Sequence, residues 1–202
     1  MKGLYVTDRA AVGSERLEEV LALLAGAEGL SVQLRESDCT DSELLSRASR
    51  ARQILGSTPL SINRRFDVAL ACGAEGVHLP ASGLPVERVK ANTPRGFRVG
   101  ASTHSAAEAT AAIEAGADVV VLGPIFDTPS KRAYGKPLDP AALADLPPSS
   151  SHEADVYAIG GINLENVGQL LAFRDRIAGV AAVRLFQEAG HPRAVLTSLA
   201  AL

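Results

Sequence analysis

The sequence predicts a (β/α)8 barrel built as one domain over residues 1–202. Three observations carry that prediction. Short apolar runs rich in Val, Ile and Leu alternate with helix-periodic segments from end to end, and eight strand-like runs are found. Gly73-Ala74-Glu75-Gly76-Val77-His78-Leu79 is echoed by Gly116-Ala117-Asp118-Val119-Val120-Val121-Leu122; in both, Gly ends a helix, Ala and an acid make the turn, and a strand begins. Strand ends pass into polar or Gly/Pro-rich turns, the place where α/β folds put their chemistry. An open doubly wound sheet is the alternative. Its dinucleotide-binding version is disfavoured, because no G-x-G-x-x-G follows the first strand.

The expected elements follow in order. Residues 4–7 form a first strand and 14–24 a helix; 31–35 a strand and 41–55 a helix. Residues 60–63 form the third strand, with 66–72 helical after it. Residues 76–79 form the fourth strand, and a helix opens near Pro85, where a missing N–H costs nothing. Residues 97–102 are the fifth strand. Ser105 then caps an alanine-rich helix ending at Gly116, with Glu108 as its capping-box partner. Residues 119–122, 156–159 and 179–183 are the last three strands, 147–153 a surface loop, and a final helix runs from about Pro192 to the end.

Composition excludes several classes of function. Hydrophobic residues make up 47 % of the chain, which fits a globular core, and 202 residues suffice to bury one. The net charge is -3 and no long basic block occurs, so nucleic acid is not an expected partner. No apolar run is long enough to span a membrane, and Met1–Asp8 reads as a strand rather than a signal peptide. Cys39 and Cys72 lack metal-ligand spacing and are expected as reduced thiols in a cytoplasmic protein. The apolar helix over residues 106–115 offers a surface for a homodimer.

Alternation along the strands points to a ligand. Val32 and Leu34 pack outward, which turns Gln33 and Arg35 into the barrel; Ser61 and Asn63 share the inner face of the next strand. Gly100 and Ser102 share a face of the fifth strand, and His78 opposes Val77 and Leu79 on the fourth. Burying unpaired groups of this kind costs roughly 1–3 kcal/mol each, so polar residues at the inner ends of four adjacent strands imply a bound molecule. The run Val119-Val120-Val121-Leu122-Gly123-Pro124-Ile125-Phe126-Asp127-Thr128-Pro129-Ser130-Lys131 passes from a buried strand into a cluster of donors. Val156-Tyr157-Ala158-Ile159-Gly160-Gly161-Ile162-Asn163 runs from a strand into a Gly-Gly turn whose N–H groups suit an anion, and Arg184 follows the eighth strand. In such barrels, phosphate sits between the loops after the seventh and eighth strands.

Taken together, several segments resemble the thiamine phosphate synthase/TenI superfamily. They are Tyr5-Val6-Thr7-Asp8, Val32-Gln33-Leu34-Arg35-Glu36, Asn63-Arg64-Arg65-Phe66-Asp67, Gly76-Val77-His78-Leu79, Gly123 through Lys131, and Ala158-Ile159-Gly160-Gly161-Ile162. The resemblance implies a (β/α)8 barrel of thiamin biosynthesis. Its synthase members join a thiazole phosphate to an aminopyrimidine diphosphate and release pyrophosphate; its TenI members isomerise a carboxylated thiazole phosphate to the aromatic tautomer. It further implies that Gln33, Arg35, Asn63, Ser102, Thr128 and Ser130 bind substrate, that Lys131 lies beside the pyrophosphate, and that Gly160 and Gly161 hold the thiazole phosphate.

The chain departs from the synthase pattern at the metal. Asn63-Arg64-Arg65 stands where Asn-Asp-Arg is usual, and His78-Leu79-Pro80-Ala81-Ser82-Gly83 where a second acid is usual, so both Mg²⁺ carboxylates are missing. Ser37 stands where a basic residue is usual, and Pro124 where TenI members carry a histidine. Magnesium needs oxygen ligands, commonly carboxylates. The expectation is a TenI-like, metal-independent proton transfer, with no cofactor and with His78, His104, Asp127 and Lys131 as candidate proton carriers. The alternatives are a synthase, which implies Mg²⁺ although both expected Asp ligands are absent and in which Arg64 replaces one metal ion, and a non-catalytic protein that binds a thiazole or thiamin phosphate.

Overall fold

A computed structural model describes residues 1–128 and 136–202. Eight parallel strands close into a barrel in sequence order: β1 (Lys2–Val6), β2 (Leu30–Leu34), β3 (Leu60–Asn63), β4 (Gly76–Leu79), β5 (Arg98–Thr103), β6 (Val119–Leu122), β7 (Asp155–Ile159) and β8 (Gly179–Ala182). Closure is made by β8 on β1, with Tyr5 level with Ala182. The helices are α1 (Arg9–Val12), α2 (Ser14–Leu24), α3 (Asp41–Leu55), α4 (Phe66–Ala71), α5 (Val86–Lys90), α6 (Ala106–Glu114), α7 (Arg184–Gln187) and α8 (Pro192–Ala200).

Sequence patterning explains the layers. On α3, Leu44, Ala48, Ala51 and Leu55 recur at helical spacing and are buried against the outward faces of the neighbouring strands, Val32, Leu34, Leu60 and Ile62 among them. Thr40 caps that helix reciprocally with Glu43. The barrel interior is divided. Leu4, Val6, Val121, Tyr157 and Ala181, from β1, β6, β7 and β8, form an apolar inner cluster. The inward positions of β2 to β5 carry Ser31, Gln33, Ser61, Asn63, His78, Gly100 and Ser102 instead. The polar half is thus built into the floor of the mouth rather than confined to its loops.

Several expectations are corrected. β1 starts at Lys2 and β7 at Asp155, because the Lys2 N–H donates to the Ala178 carbonyl and the Asp155 N–H to the Asp118 carbonyl, each at 3.0 Å; at this foot of the barrel the Asp155 carboxylate also bonds Lys2 Nζ at 2.8 Å and Arg98 Nη2 at 2.9 Å. Burial pushes the Asp155 carboxyl up, but these two cations hold it below the usual range. After β6 and β7 the chain forms three-ten turns, Pro140–Asp145 and Val167–Phe173, rather than α-helices. Leu143 and Leu146 are buried three apart, as are Val167 and Leu170; that spacing aligns side chains on a three-residue turn. Residues 149–151 of the expected surface loop also make a short three-ten turn. Ser105 accepts from Glu108 N–H as expected, but Glu108 reaches back to the N–H of His104, not to that of Ser105. β8 ends at Ala182, and Arg184 opens α7 instead of closing the strand.

Candidate active site

The carboxyl ends of the strands bring the singled-out residues into two groups. The first spans β2 to β5. Gln33, buried inside the barrel, donates from Nε2 to Asn63 Oδ1 at 3.2 Å. Arg35, expected on the strand and turned into the barrel, instead lies past the end of β2 with an exposed side chain. Arg64 follows Asn63 with φ +67°, a left-handed conformation that costs a non-glycine residue about 1–2 kcal/mol. It is held there by its own N–H to the His78 carbonyl at 2.8 Å and by Arg65 N–H to the Asn63 carbonyl at 2.9 Å. The neighbouring Arg65 is neutralised by Asp41 and Asp67. Arg35 and Arg64 have no acidic partner among the described residues.

His78 Nε2 shares a hydrogen bond of 2.9 Å with Ser102 Oγ. Its ring lies over Gly100, where a Cβ would come 2.5 Å from Nδ1. Burial pulls the imidazole down from its ordinary 6.5 to about 4, so the ring is neutral near pH 7. The sign of its effect on stability follows. As pH falls from 7 to 4, an ordinary histidine in the unfolded chain takes up a proton that the folded ring refuses, so the native state loses roughly 3 kcal/mol through this group. Urea unfolding at pH 7 and pH 4 should show a smaller acid loss for His78→Gln than for the parent; equal losses would contradict a dry, neutral ring.

His104 stands at the junction of β5 and β6. Its Nδ1 lies 2.8 Å from the Gly123 carbonyl, which can only accept, so Nδ1 carries the hydrogen and a neutral ring presents Nε2 as a base. The side chain is exposed at the mouth.

The second group spans β6 to β8. Gly123–Pro124 is a cis peptide. The loops after β6 and β7 lie against each other: Ile125 N–H donates to the Ile159 carbonyl at 2.8 Å, and Phe126 N–H to the Gly160 carbonyl at 3.0 Å. Gly160 and Gly161 have φ of +102° and +64°; a Cβ on the first would come 2.5 Å from Pro124 Cβ, and one on the second 2.4 Å from the Asp127 carbonyl oxygen. Arg184 Nη2 lies 3.5 Å from Thr128 Oγ1, so the loops after β6 and β8 also converge there. Thr128 is buried and Asp127 exposed. Ser130 and Lys131 lie outside the described residues.

Two sets of residues around this mouth escaped the reading of the sequence. Tyr5 Oη donates to Gln187 Oε1 at 2.9 Å, and Gln187 also brackets Asp8, accepting from its N–H at 3.1 Å and donating to its carbonyl at 3.0 Å, which ties α7 to the end of β1. Glu36, two residues past the end of β2, is buried and bonded by Thr7 and Arg9. An acid placed next to a strand end, where the chain is still inside the fold, was the available signal.

A divalent ion does not fit the β3–β4 side of the mouth. The donors there are amides, hydroxyls and guanidinium groups, and Pro80-Ala81-Ser82-Gly83 after β4 contains no carboxylate. Among the described residues the group able to gather around an ion is Glu36, Asp38 and Cys39, and Arg9 already bonds both carboxylates.

An eight-stranded parallel barrel with polar side chains and a glycine turn collected at its carboxyl face defines the class of (β/α)8 barrel enzymes. A family model described as thiamine monophosphate synthase matches residues 4–186. A thiamine-phosphate synthase of Methanoculleus marisnigri is 40% identical over 184 residues, covering 89% of this chain and 86% of the relative. Another from Methanoregula boonei is 39% identical over 184 residues, covering 89% and 84%. Among solved structures, a thiamine phosphate pyrophosphorylase from Pyrococcus furiosus superposes with a TM-score of 0.81 at 28% identity, covering 99% of this chain and 94% of the other. The chain belongs to the thiamine monophosphate synthase family. Among the described residues, no helix is long and apolar enough to cross a membrane.

Proposed function

We propose that the barrel binds a carboxylated thiazole phosphate and catalyses its isomerisation to the aromatic tautomer by proton transfer, without a metal. The observation that carries this reading is His104: its Nδ1–H is committed to the Gly123 carbonyl, leaving Nε2 as a base at the mouth. The two ends of such a substrate are both anionic, and the mouth offers cationic or N–H-rich ground on both sides. Gly160, Gly161, Arg184 and Thr128 take the phosphate. Arg35 and Arg64, unpaired with acids among the described residues, take the carboxylate. Gln33, Asn63 and Ser102 orient the ring by hydrogen bonds. His104 accepts the proton from a ring carbon, and one proton returns elsewhere on the conjugated system, so nothing is consumed. Asp127, exposed after β6, is a candidate for returning that proton; Ser130 and Lys131 are candidates for the proton or the phosphate by family resemblance alone. His78, neutral and inside the barrel, positions Ser102 rather than moving a proton.

A second reading has a specific observation in its favour. The relatives at 39–40% identity are named thiamine-phosphate synthases. In a synthase, Arg35 and Arg64 would bind a diphosphate leaving group in place of metal charge. The two readings separate in one experiment. NMR of the non-aromatic carboxylated thiazole phosphate, incubated with the protein and a chelator, should show faster aromatisation than buffer alone. No acceleration, with pyrophosphate released instead from an aminopyrimidine diphosphate and a thiazole phosphate, would replace the tautomerase reading by the synthase one.

A further inference from the structure

Thr7 sits at the end of β1 and is fully buried. Its own N–H donates to the Gln33 carbonyl at 3.0 Å, while its Oγ1 accepts from the Arg35 N–H at 2.9 Å. One side chain and one peptide group thus grip both ends of the Gln33-Leu34-Arg35 segment. The hydroxyl has a single hydrogen, and it is directed at Glu36 Oε1, 2.9 Å away. A carboxylate only accepts, so this bond forces the Thr7 lone pairs toward Arg35 N–H. Glu36 Oε2 in turn accepts from Arg9 Nε at 3.1 Å, and Arg9 also pairs with Asp38. Burial pushes the Glu36 carboxyl up, opposed by the Thr7 hydroxyl and by Arg9. The guanidinium of Arg9 therefore has two effects. It keeps an acceptor facing Thr7, and it balances a negative charge that would otherwise lie next to Arg35 and repel an anion.

We infer that Thr7, Glu36 and Arg9 form a positioning network that fixes the backbone beneath Arg35, and so sets the affinity of the β2–β3 side of the mouth for an anionic group without touching that group. The inference rests on the reading of Arg35 as an anion-binding residue. Its chemistry is directional. Removing the Thr7 hydroxyl strands Arg35 N–H and one oxygen of Glu36 together, which loosens the strand end where Arg35 departs. The barrel itself keeps its ladder, because the Thr7 N–H bond to Gln33 is made by the backbone.

The test uses inorganic pyrophosphate as the probe, with binding read by calorimetry and folding by Tm, on the full chain. Arg35→Ala measures how much of the binding Arg35 carries. Thr7→Val, close in volume, should weaken pyrophosphate binding by about tenfold, while Thr7→Ser restores it to within about twofold. In turnover, the same Thr7→Val change should raise KM and leave kcat nearly unaltered, a split that general destabilisation does not produce. Thr7→Val binding like the parent while Arg35→Ala does not would overturn the network. Should Thr7→Val fail to fold, Arg9→Gln at the far end of the chain of bonds carries the test: about threefold weaker binding is expected, and unchanged binding overturns the network equally. A parent protein that does not bind pyrophosphate, or an Arg35→Ala variant that binds as well as the parent, would instead refute the reading of Arg35 on which the inference rests.

Discussion

His104→Asn should lower turnover of the carboxylated thiazole phosphate by about 10²–10⁴-fold, the usual contribution of a positioned general base. Asparagine is the informative substitution. Its side-chain NH₂ can reproduce the Nδ1–H bond to the Gly123 carbonyl, so the junction of β5 and β6 keeps its geometry and only the basic nitrogen is lost. The backbone N–H of residue 104 still donates to Glu108, so the start of α6 is held as before. The loss should therefore fall on kcat, with KM and Tm close to those of the parent. NMR rate measurements at saturating substrate decide it. A variant that aromatises substrate within a few fold of the parent would remove His104 as the proton carrier and direct attention to Asp127 and Lys131.

The contrast between His104 and His78 shows where sequence reading stops. Both follow or sit on strands in the polar half of the barrel, and both are candidates on type alone. What separates them is depth and partner. One ring is exposed with its Nδ1 committed to a carbonyl; the other is enclosed against Gly100 and held neutral by burial. Neither property is encoded locally. Each depends on which residue a neighbouring strand presents at the same height. The strands themselves were legible because alternation and Gly-rich turns are local: β3, β4 and β6, and helices α2 and α3, begin and end where their residue patterns predict. The inward direction of Gln33, Asn63 and Ser102 was legible for the same reason. The three-ten turns after β6 and β7 were not, since Val167 with Leu170 and Leu143 with Leu146 fit a helical period over so short a span as well as a three-residue one. The network of Thr7, Arg9 and Glu36 was beyond reach, because its members are brought together only by the pairing of β1 with β2.

The electrostatic layout also bears on the metal. Family resemblance puts a magnesium ion on the β3–β4 side of the mouth, yet this chain supplies a guanidinium there on a backbone twisted into the left-handed region. Two like unit charges about 4 Å apart repel by roughly 4 kcal/mol at an effective dielectric of 20. Arg64 thus disfavours a cation at the place where it would itself attract an anion. Its conformation is kept by its own N–H to the His78 carbonyl and by the Arg65 N–H to the Asn63 carbonyl.

Gly160→Ala should sharply weaken phosphate binding at the opposite side of the mouth. Two costs combine. At φ +102° an alanine is strained by about 1–3 kcal/mol, and its Cβ would stand 2.5 Å from Pro124 Cβ and 2.6 Å from Pro124 Cα. Neither neighbour is the end of a flexible side chain, so the β7 loop must move away from the β6 loop. That movement breaks the Phe126 N–H bond to the Gly160 carbonyl and carries the N–H groups of residues 160 and 161 off the phosphate position. Overpacking of this kind costs about 1–3 kcal/mol more, so a lower Tm is expected together with a loss of at least about 100-fold in affinity for a thiazole phosphate. Gly168→Ala is the matched control: it lies in the three-ten turn after this loop, its φ is not positive, and its Cβ would meet nothing within 4 Å. That variant should bind and melt like the parent. Calorimetry with the thiazole phosphate separates the outcomes. Parent-like affinity in Gly160→Ala would show that the glycine turn does not hold the phosphate, and Arg184 and Thr128 would then be the residues of that site to vary.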